Sequence, residues 1–220
     1  MPDKEKIWSV LEMIRWGTGY LEQKGFDEAR LSIELLLSET LGVKRFDLYV
    51  RHDQPLSKSE LEKFKGLLKR RLNREPIQYI LGKVNFYSIE MKIDRRALIP
   101  RPETETLVEA VVEYCKRRTP GEKGVSILDI GTGSGCIDVV LARFVRDSHI
   151  TSIDSSKEAL ELAAENAALT GTKDNIRFLE ADFLKMDRGM IRDRFDVIVS
   201  NPPYVSETAF ATLDSSIRNF

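Results

Sequence analysis

The sequence is poor in cysteine and histidine, with two of each in 220 residues. Cys115 and Cys136 share no CxxC spacing and have no histidine beside them, so neither a disulfide-stapled domain nor a zinc site is written here. Each lies in an apolar-periodic stretch and reads as a small buried hydrophobe. His52 and His149 sit in no motif and receive no role. An excess of charge of either sign is also missing: 34 Lys and Arg face 35 Asp and Glu, for a net charge of −1, which gives no basic groove for nucleic acid. No apolar run approaches the ~20 residues that span a bilayer, and the N-terminus leads into amphipathic sequence. Neither anchor nor signal peptide is read, and the expected location is the cytoplasm. With 13 Gly, 8 Pro and 42% hydrophobic residues, the chain is neither disordered nor collagenous. At ~150 residues per domain its length leaves room for more than one.

What is present divides into three parts. Residues 1–75 read as helices only. Ile7, Val10, Leu11 and Ile14 follow the 3.6 period, and Asp27 is expected to cap a second helix with Ile33, Leu36, Leu37 and Leu41 on its face, closed by Gly42. Ser57-Lys58-Ser59-Glu60 has the form of a capping box and opens a third helix, stopped by Pro76. Lys63, Lys65, Lys69, Arg70, Arg71 and Arg74 crowd that helix, either as a solvated face or as a docking surface for an acidic or phosphate-bearing partner. Residues 76–100 read as extended pieces, 77–81, 84–87 and 89–93, which suggests a β-hairpin linker. Residues 101–220 begin with a helix carrying Leu107, Val108, Val111 and Val112. An alternation follows: strand 125–130, helix 137–145, strand 150–154, helix 157–169, strand 176–180 and strand 195–200. Strands apolar on both faces, as in Phe195-Asp196-Val197-Ile198-Val199, indicate an α/β fold with a parallel sheet covered by helices.

Asp129-Ile130-Gly131-Thr132-Gly133-Ser134-Gly135 falls where a strand turns into a helix, the place where glycines allow a tight turn and close approach of a ligand to free helix N–H groups. The third glycine of a dinucleotide fingerprint would stand at position 136, which is Cys136, and no Gly-Lys-Ser/Thr ending follows; NAD and nucleoside triphosphates are disfavoured. Asp154, ending the second strand, is placed to accept ribose hydroxyls, or else to cap the helix that starts at Ser155-Ser156. Asn201-Pro202-Pro203-Tyr204 follows the fourth strand. Its prolines stiffen a loop at a strand's carboxyl end, the Asn201 side-chain oxygen and the Pro202 carbonyl can accept both hydrogens of a planar –NH2 group, and Tyr204 can wall its π face. Such a grip suits an amide or an exocyclic amine.

Taken together, the glycine loop, Asp154, Asp182-Phe183 after the third strand and Asn201-Pro202-Pro203-Tyr204 resemble S-adenosylmethionine-dependent amino-methyltransferases. Ala29-Arg30-Leu31, Glu34-Leu35-Leu36-Leu37, Pro76-Ile77-Gln78-Tyr79-Ile80-Leu81-Gly82, Phe86-Tyr87 and Leu98-Ile99-Pro100-Arg101-Pro102-Glu103-Thr104-Glu105 narrow the likeness to bacterial release-factor glutamine methyltransferases of the HemK/PrmC type. The resemblance implies a Rossmann-like methyltransferase sheet beside an N-terminal helical substrate-docking bundle. The implied reaction is methylation of the Gln side-chain amide in the Gly-Gly-Gln loop of class 1 peptide chain release factors. It also implies S-adenosylmethionine along Gly131, Thr132, Gly133, Ser134 and Gly135, with Asp154 at its ribose, Asp182 and Phe183 at its adenine, and Asn201 beside it. Asn201, Pro202, Pro203 and Tyr204 would seize the glutamine amide, with Asn201, Pro202 and Tyr204 as the catalytic group. Phe86 and Arg101 would close over it.

Two other readings stay open at this stage. The same tetrapeptide could hold the N6 amine of adenine in a nucleic-acid methyltransferase, against which the balanced charge speaks. The resemblance also implies seven strands, of which four are readable; the short tail after Tyr204 carries no β-rich run. The methyltransferase domain is therefore expected to lack its C-terminal strands and to expose the fourth as an edge, and a non-catalytic fragment binding cofactor or release factor is the third reading. No metal, membrane or direct nucleic-acid partner is expected, and the chain is expected to be a monomer.

Overall fold

The computed structural model describes residues 7–117, 124–187, 189–191 and 193–202. Contacts divide the chain into two units, one ending at Leu81 and the other beginning at Gly82.

The first unit is helical: α1 (Val10–Gln23), α2 (Ala29–Leu41), the short α3 (Asp47–Val50), α4 (Lys58–Leu72) and α5 (Ile77–Leu81). Ser57 starts α4 by the expected reciprocal cap, its hydroxyl accepting from Glu60 N while Glu60 Oε2 accepts from Ser57 N at 2.7 Å. Ser9 and Glu12 do the same for α1, a box equally present in the sequence. Ser57→Ala is expected to cost about 1 kcal/mol of stability, read as a lower denaturation midpoint with an unchanged slope. Leu21, Ile33, Leu36, Leu37 and Leu48 are completely buried in the core of this unit, each contributing roughly 1.5–3 kcal/mol. Gly17 lets α1 approach α2, since a Cβ there would stand 2.8 Å from the Ile33 side chain.

Three local expectations are corrected. The residue that caps α2 is Glu28 in left-handed backbone, without a side-chain cap bond, because the helix starts at Ala29 and leaves Asp27 one position too early. Residues 77–81 form a helical turn rather than a strand: α4 has already ended at Leu72, the chain leaving it through Arg74 in left-handed backbone rather than being stopped by Pro76, and Pro76 opens α5, with Ile80 N donating to its carbonyl at 3.1 Å. So short an apolar run has no period to tell helix from strand.

The second unit opens with a hairpin of β1 (Lys83–Phe86) and β2 (Ile89–Lys92), turned by Tyr87 and Ser88, both at positive φ as a tight two-residue turn requires. Helix α6 (Glu103–Lys116) follows, and then β3 (Ser126–Ile130), α7 (Cys136–Phe144), β4 (His149–Asp154), α8 (Lys157–Thr170), β5 (Ile176–Glu180) and β6 (Val197–Ser200). The four strands lie within two residues of those read from the sequence and pair in parallel in the order β5-β4-β3-β6. Ile127, Val108, Val139, Val140 and Leu141 are completely buried between sheet and helices. The chain steps from β3 to β4 to β5 in one direction and then returns to the far side of β3. The connections therefore diverge at β3 and β6, and a crevice opens at their carboxyl ends. Among the described residues β6 ends the sheet, with Ile198 63% exposed. Among the same residues no helix is long and apolar enough to cross a membrane.

Candidate functional site

Parallel pairing brings the expected residues to one edge. The loop 131–135 leaves β3, Asp154 ends β4, Asp182 and Phe183 follow β5, and Asn201 and Pro202 follow β6. At ~4.8 Å per strand the row spans about 15 Å, the length of an extended small ligand. Phe86 does not join it. It is 1% exposed and packs in the core with Met91, Val108 and Val112, so its ring fills the interior and the expected closing role gives way to packing. Arg101 is exposed just before α6, and its carbonyl accepts from Thr104 N. Pro203 and Tyr204 lie outside the described residues.

The three glycines of the loop have different tasks. All have positive φ. A Cβ added at Gly131 or Gly133 would meet open space, whereas at Gly135 it would stand 2.8 Å from the Ala163 Cβ. Gly135 is thus a packing residue between α7 and α8, and Gly131 and Gly133 present bare backbone to the crevice. Thr132 and Ser134 are buried, 4% and 3% exposed, so the surface of the loop open to a ligand is that of Gly131 and Gly133. Gly131 N and Thr132 N both donate to the Ile153 carbonyl, at 2.8 and 3.1 Å, and Gly133 N donates to Asp154 Oδ2 at 2.8 Å. Asp154 Oδ1 accepts from Ser156 N at 2.9 Å, while the Ser156 hydroxyl caps α8 by accepting from Ala159 N. Asp154 thus braces the loop and the start of α8, whose N-cap is Ser156, and each of its oxygens keeps a lone pair for a further donor.

Asn166 was not legible as part of the site. This completely buried residue donates from Nδ2 to the carbonyls of Ser134 and Lys92 and accepts from Lys92 N through Oδ1, tying the loop to the hairpin. Asp182 Oδ1 caps its own turn by accepting from Leu184 N; Lys185, 2.8 Å from Oδ2, holds its carboxyl below the usual range. Phe183 is 41% exposed, an aromatic face open beside it.

At the other end of the row, Asn201 Nδ2 donates to Thr104 Oγ1 at 2.9 Å, and Thr104 is buried at the start of α6. The amide is oriented by that bond, and among the described residues no donor meets its oxygen. Ser200 Oγ donates to the Ile130 carbonyl at 2.7 Å and fixes the end of β6 against β3. Thr104→Val, which keeps the shape and removes the acceptor, is expected to lower kcat about tenfold, while Thr104→Ser retains it; steady-state kinetics on both variants check this. The Cys136 thiol is buried and its pKa pushed up to about 12, which makes it no nucleophile. Among the described residues no three His, Cys, Asp or Glu side chains are grouped to hold a metal.

A parallel sheet in the order β5-β4-β3-β6, with a glycine loop, a strand-end acid and an oriented Asn201 at its crevice, defines a Rossmann-like methyltransferase. Residues 12–82 match the family model described as PrmC N-terminal domain, and residues 121–219 match that of a methyltransferase domain. The chain is 42% identical to the release factor glutamine methyltransferase of Chlorobaculum tepidum, over all of this chain and 75% of that protein. It is 38% identical to that of Geobacter sulfurreducens, over all of this chain and 74% of the relative. The chain belongs to the release factor glutamine methyltransferase family. Among solved structures it resembles a SAM-dependent methyltransferase from Agrobacterium tumefaciens at 22% identity and a TM-score of 0.47, over 55% of this chain and 39% of that one, too slight a likeness to argue from.

Proposed function

We propose that this chain methylates the side-chain amide nitrogen of the Gln in the Gly-Gly-Gln loop of class 1 peptide chain release factors, with S-adenosylmethionine as donor. The observation that carries this reading is the Asn201 side chain held by Thr104 at the switch point, with its oxygen meeting no donor among the described residues, next to a glycine loop open to the crevice. The residues fit the cofactor. Gly131 and Gly133 offer backbone without side chains in the way, Asp154 is braced with lone pairs to spare for ribose hydroxyls, and Asp182 and Phe183 offer an acceptor and a ring face for adenine. When bound, S-adenosylmethionine supplies an electrophilic methyl group.

The chain's own residues have to make a poor nucleophile competent. A carboxamide nitrogen gives its lone pair to the carbonyl. Acceptance of both its N–H hydrogens by Asn201 Oδ1 and the Pro202 carbonyl orients the group and favours positive charge growing on nitrogen, an effect realised chiefly in the transition state. Positioning is the larger contribution, with an upper range of ~7–11 kcal/mol against about 3 kcal/mol for one hydrogen-bonding group. No base is needed beforehand, because the methylated amide cation is strongly acidic and loses its proton to water.

The exocyclic-amine reading yields to the family assignment, since the N-terminal helical unit belongs to it as well. We assign residues 1–75 to release-factor docking, 76–100 to a linker and 101–220 to catalysis, in a cytoplasmic monomer that does not bind nucleic acid directly. Transfer of label from S-adenosylmethionine to a release factor tests the function. Label on the wild-type factor and none on its Gln→Ala variant is the expected result; labelling of that variant refutes the target.

A further inference from the structure

Two carboxyl groups flank the glycine loop and have no role in the proposed methyl transfer. Asp129 lies on β3 just before the loop and Asp138 in the first turn of α7 just after it, both completely buried. Among the described residues none of their four oxygens makes a hydrogen bond in good geometry, and neither do the hydroxyls of Thr132 and Ser152. What the carboxyls face is each other, those two hydroxyls and, weakly, the Ile130 amide; the ionisable neighbours are Asp154 on β4 and the Cys136 thiol on α7. Two ionised carboxylates here would repel each other and leave buried acceptors unmet. One proton removes both difficulties, since a neutral carboxyl donates and an O–H···O⁻ bond between the two is a strong one.

We propose that Asp129 and Asp138 hold a proton between them at neutral pH, and that this proton ties the end of β3 to the first turn of α7 and so sets the glycine loop for its cofactor. The second half rests on the loop being the cofactor cradle. Burial is the first cause that raises both groups and so keeps the shared proton bound: it pushes Asp129 up to about 7 and Asp138 well above the usual carboxylate range, with the charge of Asp154 adding to the effect on Asp129 and that of Asp129 to the effect on Asp138. The unfolded chain gives up these protons near ~3.9, while the folded chain keeps them to higher pH. Stability is therefore greatest below the unfolded value and falls as pH rises toward the folded ones, by about tenfold in the folding constant per pH unit for each proton retained.

The test measures melting of the ligand-free chain and, separately, S-adenosylmethionine affinity by calorimetry, from about pH 5 to about pH 9, on wild type, Asp138→Asn and Asp138→Ala. Wild type is expected to melt lower and to bind about tenfold more weakly at the alkaline end. Asp138→Asn, whose amide donates permanently to Asp129, should fold and bind without that slope, and Asp138→Ala, which donates nothing, should be weakened throughout. Asp129→Asn reads the same contact from the other side should Asp138→Asn fail to fold. A wild-type melt independent of pH, or an Asp138→Asn variant that keeps the wild-type slope, overturns the proposal. So does the lack, in wild type at neutral pH, of the infrared carbonyl stretch of a neutral carboxylic acid that Asp129→Asn or Asp138→Asn removes. A melting slope that disappears in Asp138→Asn, in a chain that binds no S-adenosylmethionine at any pH, upholds the shared proton and refutes its role at a cofactor loop, which separates the two readings.

Discussion

Asn201→Ala is expected to lower kcat for release-factor methylation by about 10²–10³ while S-adenosylmethionine affinity stays within about tenfold. The Asn201 oxygen is the only side-chain acceptor among the described residues that both follows β6 and has its orientation fixed, through Thr104. Removing it takes away one of the two acceptors proposed for the substrate amide and leaves loop 131–135 and Asp154 untouched. The effect therefore belongs in turnover, not in cofactor binding. Asn201→Asp keeps an acceptor but loses the donor to Thr104, so it should fall between wild type and alanine. Single-turnover labelling with saturating cofactor, paired with calorimetry, separates the two quantities. Wild-type turnover in Asn201→Ala would remove this residue from the mechanism.

Gly135→Ala is expected to destabilise the fold by roughly 2–5 kcal/mol, combining left-handed backbone strain of about 1–2 kcal/mol with overpacking of about 1–3 kcal/mol. The added methyl would lie 2.8 Å from Ala163 Cβ and 3.0 Å from its Cα, where backbone has to move. The melting temperature should fall by roughly 10 °C for a chain of this size. Gly133→Ala carries the same kind of backbone strain but points into open space. It should therefore melt only slightly lower and lose cofactor affinity instead. Equal melting temperatures for the two variants would show that contact between α7 and α8 at Gly135 contributes nothing.

Much of this was readable from residue order. Four apolar strands, the glycine loop, the acid ending β4 and the Asn-Pro pair after β6 each announce themselves locally, by an apolar run ending in a turn or a polar residue of defined chemistry. Reading failed where the local signal was ambiguous. The five residues of α5 are too few to display a period, and Asp27 is an excellent cap that stands one residue from where it is needed. Phe86 belongs to a run that the resemblance aimed at the substrate, yet its alternation in β1 directs it to the core. Asn166 had no signal at all, because its partners Lys92 and Ser134 are distant in sequence and offer only backbone atoms.

Sequence alone therefore settled the types of group available, and the order in which strands and loops present them, because propensity, turn chemistry and hydrophobic period act over a few residues. It could not say which groups meet. The parallel order β5-β4-β3-β6 collects Gly131, Asp154, Asp182 and Asn201 on one edge, divides the three glycines between crevice and helix packing, sets Thr104 to orient Asn201, and buries Asp129 against Asp138. Those are consequences of contact between segments far apart in the chain, where burial and the loss of water decide what each side chain can accept, donate or retain.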